Sequence, residues 1–379
     1  MTLVYLDYNA TAPVRPEARA AMLEALDSVG NPSSVHAGGR KARALLERAR
    51  EQVGALVGVV AGSVTFTSGG TEANALALDS AAAAGCERVL LGATEHDAVW
   101  ETAHRSGMSV EIWPVDGSGV ADLGWLDAAL ARPGKVIACL MLANNETGVI
   151  QPVTEAGQRV RDAGGWLHVD AVQASGKIAI DFSALQADTL ALSSHKLGGP
   201  QGVGALIAGT RATLTRRQHG GGQERGRRAG TENMPGIAGF AAAAVAAGSG
   251  LSDMRTQESW RNALELRLKS AGATVLGEGA RRLPQTLGVA VSDWSAETQV
   301  MLMDLAGVMI SAGAACSSGK VKPSRTVEAM GLTDLAPGAI RISGGWASTE
   351  DDWKTAGDAW LVAFERHRAR HAATLKETA

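Results

Sequence analysis

From Arg88 onward, short apolar runs alternate with helical stretches, and this alternation limits the possible fold more than any other feature. The apolar runs are Val89–Leu91, Val110–Trp113, Val136–Leu142, Trp166–Val169 and Thr189–Leu192. Between them, His96–Ser106, Leu123–Leu130 and Val153–Ala163 carry helical spacing. Repeated strand–helix alternation builds an α/β domain with a mostly parallel sheet, in which ligands sit at the carboxyl ends of the strands. His96, Asn145, Asp170 and Lys196 each follow one of these runs, and Thr71 follows an earlier one, Val64–Thr67. Their shared placement says more than any one of them alone.

Lys196 stands out within that set. The run Thr189–Leu192 leads into Ser193, Ser194, His195 and Lys196, then a glycine-rich turn, then the second apolar run Gly204–Ala208. Glycines beside a strand end leave room for a ligand to approach the backbone. A lysine there suits a Schiff base with a carbonyl cofactor. Asp170 ends the preceding apolar run, where a carboxylate could keep a pyridine nitrogen protonated. A buried Asp170–Lys196 salt bridge explains the pair equally well on spacing alone. Upstream, Val64–Thr67 breaks at Ser68–Thr71 and a helix is predicted from Glu72, an arrangement whose backbone amides and helix dipole suit an anion. A plain threonine-capped turn fits the same residues.

The remainder of the chain sets the boundaries. Leu3–Leu6 reads as extended and Arg19–Leu26 as a helix. His36–Leu56 reads as an amphipathic helix with Ala44, Leu45, Val53 and Leu56 inward and its basic residues, Arg50 among them, on a solvated face. Ser252–Ser270 is predicted to be a long charged helix, followed by strands at Thr274–Leu276 and Thr286–Val291. The change of pattern near residue 250 implies a large domain over 15–250 and a smaller α+β domain from 1–14 and 251–379. With 379 residues and a net charge of −3, no basic stripe points to nucleic acid. There is no Walker A loop and no repeat of solenoid type. The N-terminus lacks the pattern of a signal peptide, and the apolar stretch 237–248 is too short to span a bilayer. A cytoplasmic enzyme is expected. The three cysteines, Cys86, Cys139 and Cys316, show no metal-ligand spacing and are odd in number, which fits a reducing compartment and no metal site.

Ordered motifs along nearly the whole chain carry a resemblance. They are Tyr5–Thr11, Asn31–His36, Phe66–Glu72, Thr94–His96, Asn144–Gly148, His168–Gln173, Ser193–Lys196, His219–Gly226 with Gly230 and Thr231, Ser311–Ser317 and Ile340–Ser343. In these the chain resembles the NifS/IscS-like cysteine desulfurases, class V members of the fold-type I pyridoxal phosphate enzymes. The resemblance implies conversion of L-cysteine to L-alanine, with the sulfur held as a persulfide on Cys316 and passed to an iron–sulfur scaffold or another acceptor protein. It implies that Lys196 binds pyridoxal 5′-phosphate and moves protons, Asp170 pairs with the ring nitrogen, and His96 stacks on the ring. Gln173 and Asn145 would bond the ring oxygen or the substrate beside it, while Gly70, Thr71, Ser193 and His195 hold the phosphate. Thr231 would reach the phosphate of a partner subunit, which implies a homodimer. Arg341 would take the substrate carboxylate, with Asn31 and Arg40 on the substrate side. His96 also reads as a simple helix cap.

Cys316 names the reaction. Cys139 lies in an apolar run and reads as core, and Cys86 follows an alanine-rich helix and reads as structural. Cys316 sits among small polar residues, Ala312–Lys320, before Pro323, and reads as an exposed loop. An ordinary thiol is only a few per cent thiolate at neutral pH, so activation by Lys320, Lys322 or a proton acceptor at the cofactor site is expected. Gly344, Gly345 and Trp346 depart from the Leu-Gly-Arg common among relatives, which implies an altered substrate-side wall. A selenocysteine lyase or class V aminotransferase is the competing activity, and a non-catalytic partner protein the competing class.

Overall fold

The computed structural model describes residues 3–313 and 323–377; Cys316, Lys320 and Lys322 lie outside the described residues. The central sheet has seven strands, in the spatial order Val64–Thr67, Gly204–Ala208, Thr189–Ser193, Trp166–Asp170, Val136–Cys139, Arg88–Gly92 and Ser109–Trp113. Only Gly204–Ala208 runs against its neighbours; the other pairings are parallel. Most strands are buried along their whole length, as a sheet covered on both faces requires. Gly204 is needed where it stands. A Cβ there would lie 2.6 Å from the backbone of Gly69 and 2.7 Å from the carbonyl oxygen of Leu192.

The run expected as a strand to Leu142 stops pairing regularly at Cys139. Beyond it the amides of Leu140 and Leu142 still donate to the carbonyls of His168 and Asp170. The apolar pattern persists because the segment stays buried, while its backbone turns towards the loop 144–148.

The helix Gly70–Ala83 lies against the sheet and is buried on most of its surface, which its alanines and leucines permit. The helix Ala37–Ala55 differs from expectation in its inward face. Ala42, Leu46, Ala49, Arg50 and Val53 are buried, and Ala44 faces out. Arg50 is not part of a solvated face. Its guanidinium makes a two-pronged pair with Glu224, at 2.6 and 3.0 Å, and Glu224 also accepts the amide of Phe66. The two-pronged ion pair, with its added hydrogen bonds, lets both ions be buried. Arg50 Nη1 also donates to the carbonyl of Val64 at 3.1 Å. Cys86 and Cys139 are both buried, as expected. The alanine-rich helix Met234–Ser249 is mostly buried against Pro16–Leu26 and Ala37–Ala55. No single helix among the described residues is long and apolar enough to cross a membrane.

A second sheet of four antiparallel strands runs Ser311–Ala312, Ala339–Ser343, Thr286–Ala290, Thr274–Leu276. The helices Leu251–Ala271 and Glu350–Glu377 pack together beside it, and Val4–Tyr5 pairs in parallel with Val308–Met309. Its core includes Val4, Leu6, Leu264, Leu268, Leu287, Trp353 and Trp360. Gly288, paired with Arg341, lets the loop 144–148 cross this sheet. A Cβ on Gly288 would come within 2.9 Å of the carbonyl oxygen of Glu146 and 3.3 Å of Thr147 Cα.

Candidate active site

The strand Trp166–Asp170 delivers Asp170 to the carboxyl edge of the large sheet. One carboxylate oxygen accepts the amide of Val172 at 2.9 Å, and the other accepts Asn74 Nδ2 at 2.8 Å. Asn74 projects from the helix Gly70–Ala83, and its Oδ1 lies 2.9 Å from His168 Nε2. With the Asn74 amino group turned to Asp170, its oxygen must accept, so Nε2 of His168 carries the proton. His168 Nδ1, 2.9 Å from Thr189 Oγ1, then accepts from that hydroxyl. Burial drives the His168 pKa down to about 3, so the ring is neutral. The chain Thr189–His168–Asn74 fixes the orientation of Asp170.

Lys196 lies on a single turn, Ser194–Lys196, immediately after the strand Thr189–Ser193. Its Nζ donates to the carbonyls of Asn9 at 2.6 Å and Ala10 at 2.8 Å. Behind it, the buried Lys177 donates to the carbonyl of Lys196 at 3.2 Å. Burial first, then the charges of Lys196 and Arg341, bring Lys177 down to about 7. His195 contacts Thr11 Oγ1 at 3.2 Å, and burial, followed by Lys196 and Lys177, lowers it to about 4. His195 is therefore neutral near pH 7.

His96 caps the helix Asp97–Arg105, its Nδ1 accepting the amide of Ala98 at 3.0 Å, while its ring also lines the cavity. The cap and the wall are one residue. Opposite, the buried Arg341 reaches in from the second sheet. Its Nη2 pairs with Asp7 at 2.7 Å and its Nη1 donates to the carbonyl of Asn145 at 3.2 Å. Trp346 does not line the cavity. It donates to the carbonyl of Pro13 at 3.0 Å and lies under the guanidinium of Arg15, closing the N-terminal segment down.

One cavity of about 500 Å³ collects Gly70, Thr71, His96, Asn145, Asp170, Gln173, Ser193, His195, Lys196 and Arg341. Asn31, Arg40 and Thr231 are exposed and outside it. Asn31 Oδ1 instead accepts the amide of Ser33, and Arg40 donates to the carbonyl of Val35. Sequence reasoning assigned no role to Asn74, His168, Asp7, Asn9 or Lys177. Spacing held a signal for the first two: Asn74 is one helical turn beyond Thr71, and His168 shares a strand face with Asp170.

The class-V aminotransferase family matches residues 4–355. The chain belongs to that family. A cysteine desulfurase of Cereibacter sphaeroides is 43% identical over 354 residues, which cover 90% of this chain and 91% of that one. The structure of a NifS-like protein from Rickettsia africae superimposes with a TM-score of 0.88 at 30% identity, covering 96% and 99% of the two chains. SspA, solved in complex with cysteine, gives a TM-score of 0.78 at 28% identity, covering 90% and 98%.

Class-V aminotransferases work with pyridoxal 5′-phosphate, and the cavity fits that group. Among the described residues, Gln173 keeps a buried Oε1 without a hydrogen-bond partner while its Nε2 donates to the carbonyl of Asn9 at 3.0 Å. An unmatched buried acceptor beside a cavity is costly unless a ligand satisfies it. Each Asp170 oxygen has one donor and room for another. At the other end, a Cβ on Gly70 would stand 2.9 Å from Val172 and 3.4 Å from Ser193 Cβ. That close packing leaves backbone amides at the helix start, beside neutral His195 and Ser193, as a cradle for a phosphate.

Proposed function

We propose that this class-V protein is a cysteine desulfurase that converts L-cysteine to L-alanine and passes the sulfur on through Cys316. The observation that carries the reading is that Lys196 and Arg341 line one cavity with Asp170. An amine-handling lysine and a buried guanidinium are the two handles that an α-amino acid needs. The relative of Cereibacter sphaeroides, named a cysteine desulfurase, supports cysteine over other amino acids.

Pyridoxal 5′-phosphate, when bound, supplies a carbonyl for the substrate amine and an electron-accepting ring. Lys196 Nζ would bind that carbonyl and would move a proton between the substrate Cα and its own amine. Asp170, held by Asn74 and the Val172 amide, keeps a proton at the ring nitrogen. His96 would stack on the ring, and Gln173 and Asn145 would bond the ring oxygen or the substrate beside it. Gly70, Thr71, Ser193 and His195 hold the phosphate, with Thr231 of a second copy completing it in a homodimer. Arg341 takes the substrate carboxylate on its planar fork while Asp7 keeps the guanidinium in place. Asn31 and Arg40, which lie outside the cavity of one copy, would act on the substrate side. The Cys316 thiolate attacks the substrate sulfur, the Cβ–S electron pair stays on carbon, and Cβ takes a proton. The net reaction is L-cysteine plus Cys316 thiol giving L-alanine plus Cys316 persulfide. Two sulfurs are each oxidised by one electron and Cβ is reduced by two, so no outside oxidant is needed.

The persulfide then goes to an iron–sulfur scaffold or another acceptor protein, in the cytoplasm. We also propose the division into a domain over 15–250 and a smaller one from 1–14 with 251–379. Its support is a separate hydrophobic core drawn from residues 4–6 and 264–364. The test of function is the holoenzyme incubated with L-cysteine, with alanine, pyruvate and Cys316 persulfide measured. Alanine and persulfide in equal amounts are expected. A keto acid formed without persulfide would make it an aminotransferase, and turnover of selenocysteine alone would make it a selenocysteine lyase.

A further inference from the structure

The residues on either side of His96 are held by one guanidinium. Arg325 Nη2 donates to the carbonyl of Glu95 at 2.6 Å, and its Nη1 pairs with the carboxylate of Asp97 at 3.0 Å. Its Cζ lies over the indole of Trp100, 4.1 Å from the ring centroid. Trp100 stands in the first turn of the helix Asp97–Arg105, so the three contacts enclose the start of that helix. A cation at the amino end of a helix works against the helix dipole. An arginine in this place has to be kept there by the bonds it makes.

Arg325 is held in its turn. It opens the short helix Arg325–Ala329, and the hydroxyls of its two neighbours, Ser324 and Thr326, both donate to the buried carboxyl of Glu146. Asn144 Oδ1 accepts the amides of Glu146 and Thr147, each at 2.9 Å, which keeps the loop 144–148 and that carboxyl in place. Glu146 therefore grips the residues beside Arg325, and Arg325 grips the residues beside His96. His96 has its Nδ1 committed to the Ala98 amide, while its ring reaches the cavity. A ring tied in this way to the first turn of a helix goes where that turn goes. The Glu95 side chain is anchored separately, its carboxyl accepting the amide of Met141.

We propose that Arg325 is a positioning residue for His96, setting how closely the imidazole is pressed against the ring of bound pyridoxal 5′-phosphate. The inference rests on the reading of His96 as the residue that stacks on that ring. It gives the loop 144–148 two tasks at the cavity. Through the Asn145 carbonyl it steadies Arg341, and through Glu146 and Arg325 it steadies His96.

Cofactor affinity reports the stacking without any turnover. It is read by titrating the full chain, freed of cofactor, with pyridoxal 5′-phosphate and following absorbance. His96→Ala should weaken binding about tenfold. Arg325→Met, which keeps an unbranched chain beside Trp100 and loses both polar contacts, should weaken it about fivefold and alter the visible circular dichroism of the bound cofactor. The double variant should bind no more weakly than His96→Ala alone, since Arg325 acts through the residue already removed. Asp97→Asn should weaken binding less than about twofold, because that pair is partly exposed and the bond to the Glu95 carbonyl remains. If Arg325→Met does not fold, Arg325→Lys, which keeps the charge beside Asp97 and loses the planar fork, takes its place in the same cycle. Losses that add in the double variant would overturn the inference, as Arg325 would then support the cavity by another route. Undiminished affinity without Arg325 would overturn it as well. If His96→Ala leaves both affinity and spectrum unchanged, the reading of His96 falls and the inference with it.

Discussion

The two sheets contribute to the cavity in different ways. The large sheet brings Asp170 and Lys196 to one edge because its strands are mainly parallel, so successive strand ends collect there. The small sheet is antiparallel and has no such edge. It contributes Arg341 from the middle of a strand, paired with Gly288, whose missing side chain lets the loop 144–148 approach. On the large sheet, direction places the chemistry; on the small one, register and one glycine do. In the small sheet a slip by one residue would turn Arg341 to the other face and away from Asp7.

The comparison can be broken from its strongest side first. Lys196→Ala should lower cysteine turnover by at least about 10³-fold and remove the absorbance band of the covalently held cofactor, with folding intact by circular dichroism. A retained band would place the linkage elsewhere. On the small sheet, Arg341→Lys keeps charge but loses the planar fork that serves Asp7, the Asn145 carbonyl and the substrate. Here kcat/KM should fall roughly 100-fold, or about 2.7 kcal/mol, chiefly through KM. A change confined to kcat would mean that Arg341 does not hold the carboxylate.

Gly288→Val sharpens the register argument. A side chain there meets Glu146 O and Thr147 Cα, so stability should drop by about 1–3 kcal/mol in urea titration. If it is neutral, the loop is not fixed by that close approach. The smallest effect is a pH slope in the large sheet. His168 is held neutral in the fold with its pKa lowered to about 3, while the unfolded chain takes up a proton near 6.5. Its contribution is therefore complete above pH 6.5 and is lost as pH falls from there towards 3, by roughly 1.4 kcal/mol per unit at most. His168→Gln should flatten the stability profile between pH 6 and 4; an unchanged slope would mean that other groups dominate it.

Much of the large sheet was legible because the relevant signals are local. Runs such as Thr189–Leu192 mark strands, and Lys196 follows its run directly. The helix Ala37–Ala55 was harder, since alanine and arginine give a weak inward stripe and Arg50 is buried only because Glu224 meets it from far along the chain. The same limit hid Asp7. Its motif was visible, but its pairing with Arg341 joins the two ends of the sequence and has no local signature. Lys177 was invisible for another reason: a single lysine after a glycine looks like surface until the packing around it is known. The indole of Trp346 serves the N-terminal segment, which its place after Ile340–Ser343 did not reveal.

Because Gly204–Ala208 runs against Thr189–Ser193, the turn bearing Lys196 closes a hairpin whose end pair is Ser193 with Gly204. Closing so short a loop costs little chain entropy, and contacts of this kind form on fast timescales. The carbonyls that receive its amine, those of Asn9 and Ala10, come from far upstream, and Arg341 waits for Asp7 across 334 positions. The amine-handling end of the cavity can thus be shaped by neighbours in sequence, whereas the carboxylate-handling end exists only once the two chain termini have been brought together. Loosening the first few residues should consequently unmake substrate recognition well before it disturbs the hairpin that presents the lysine.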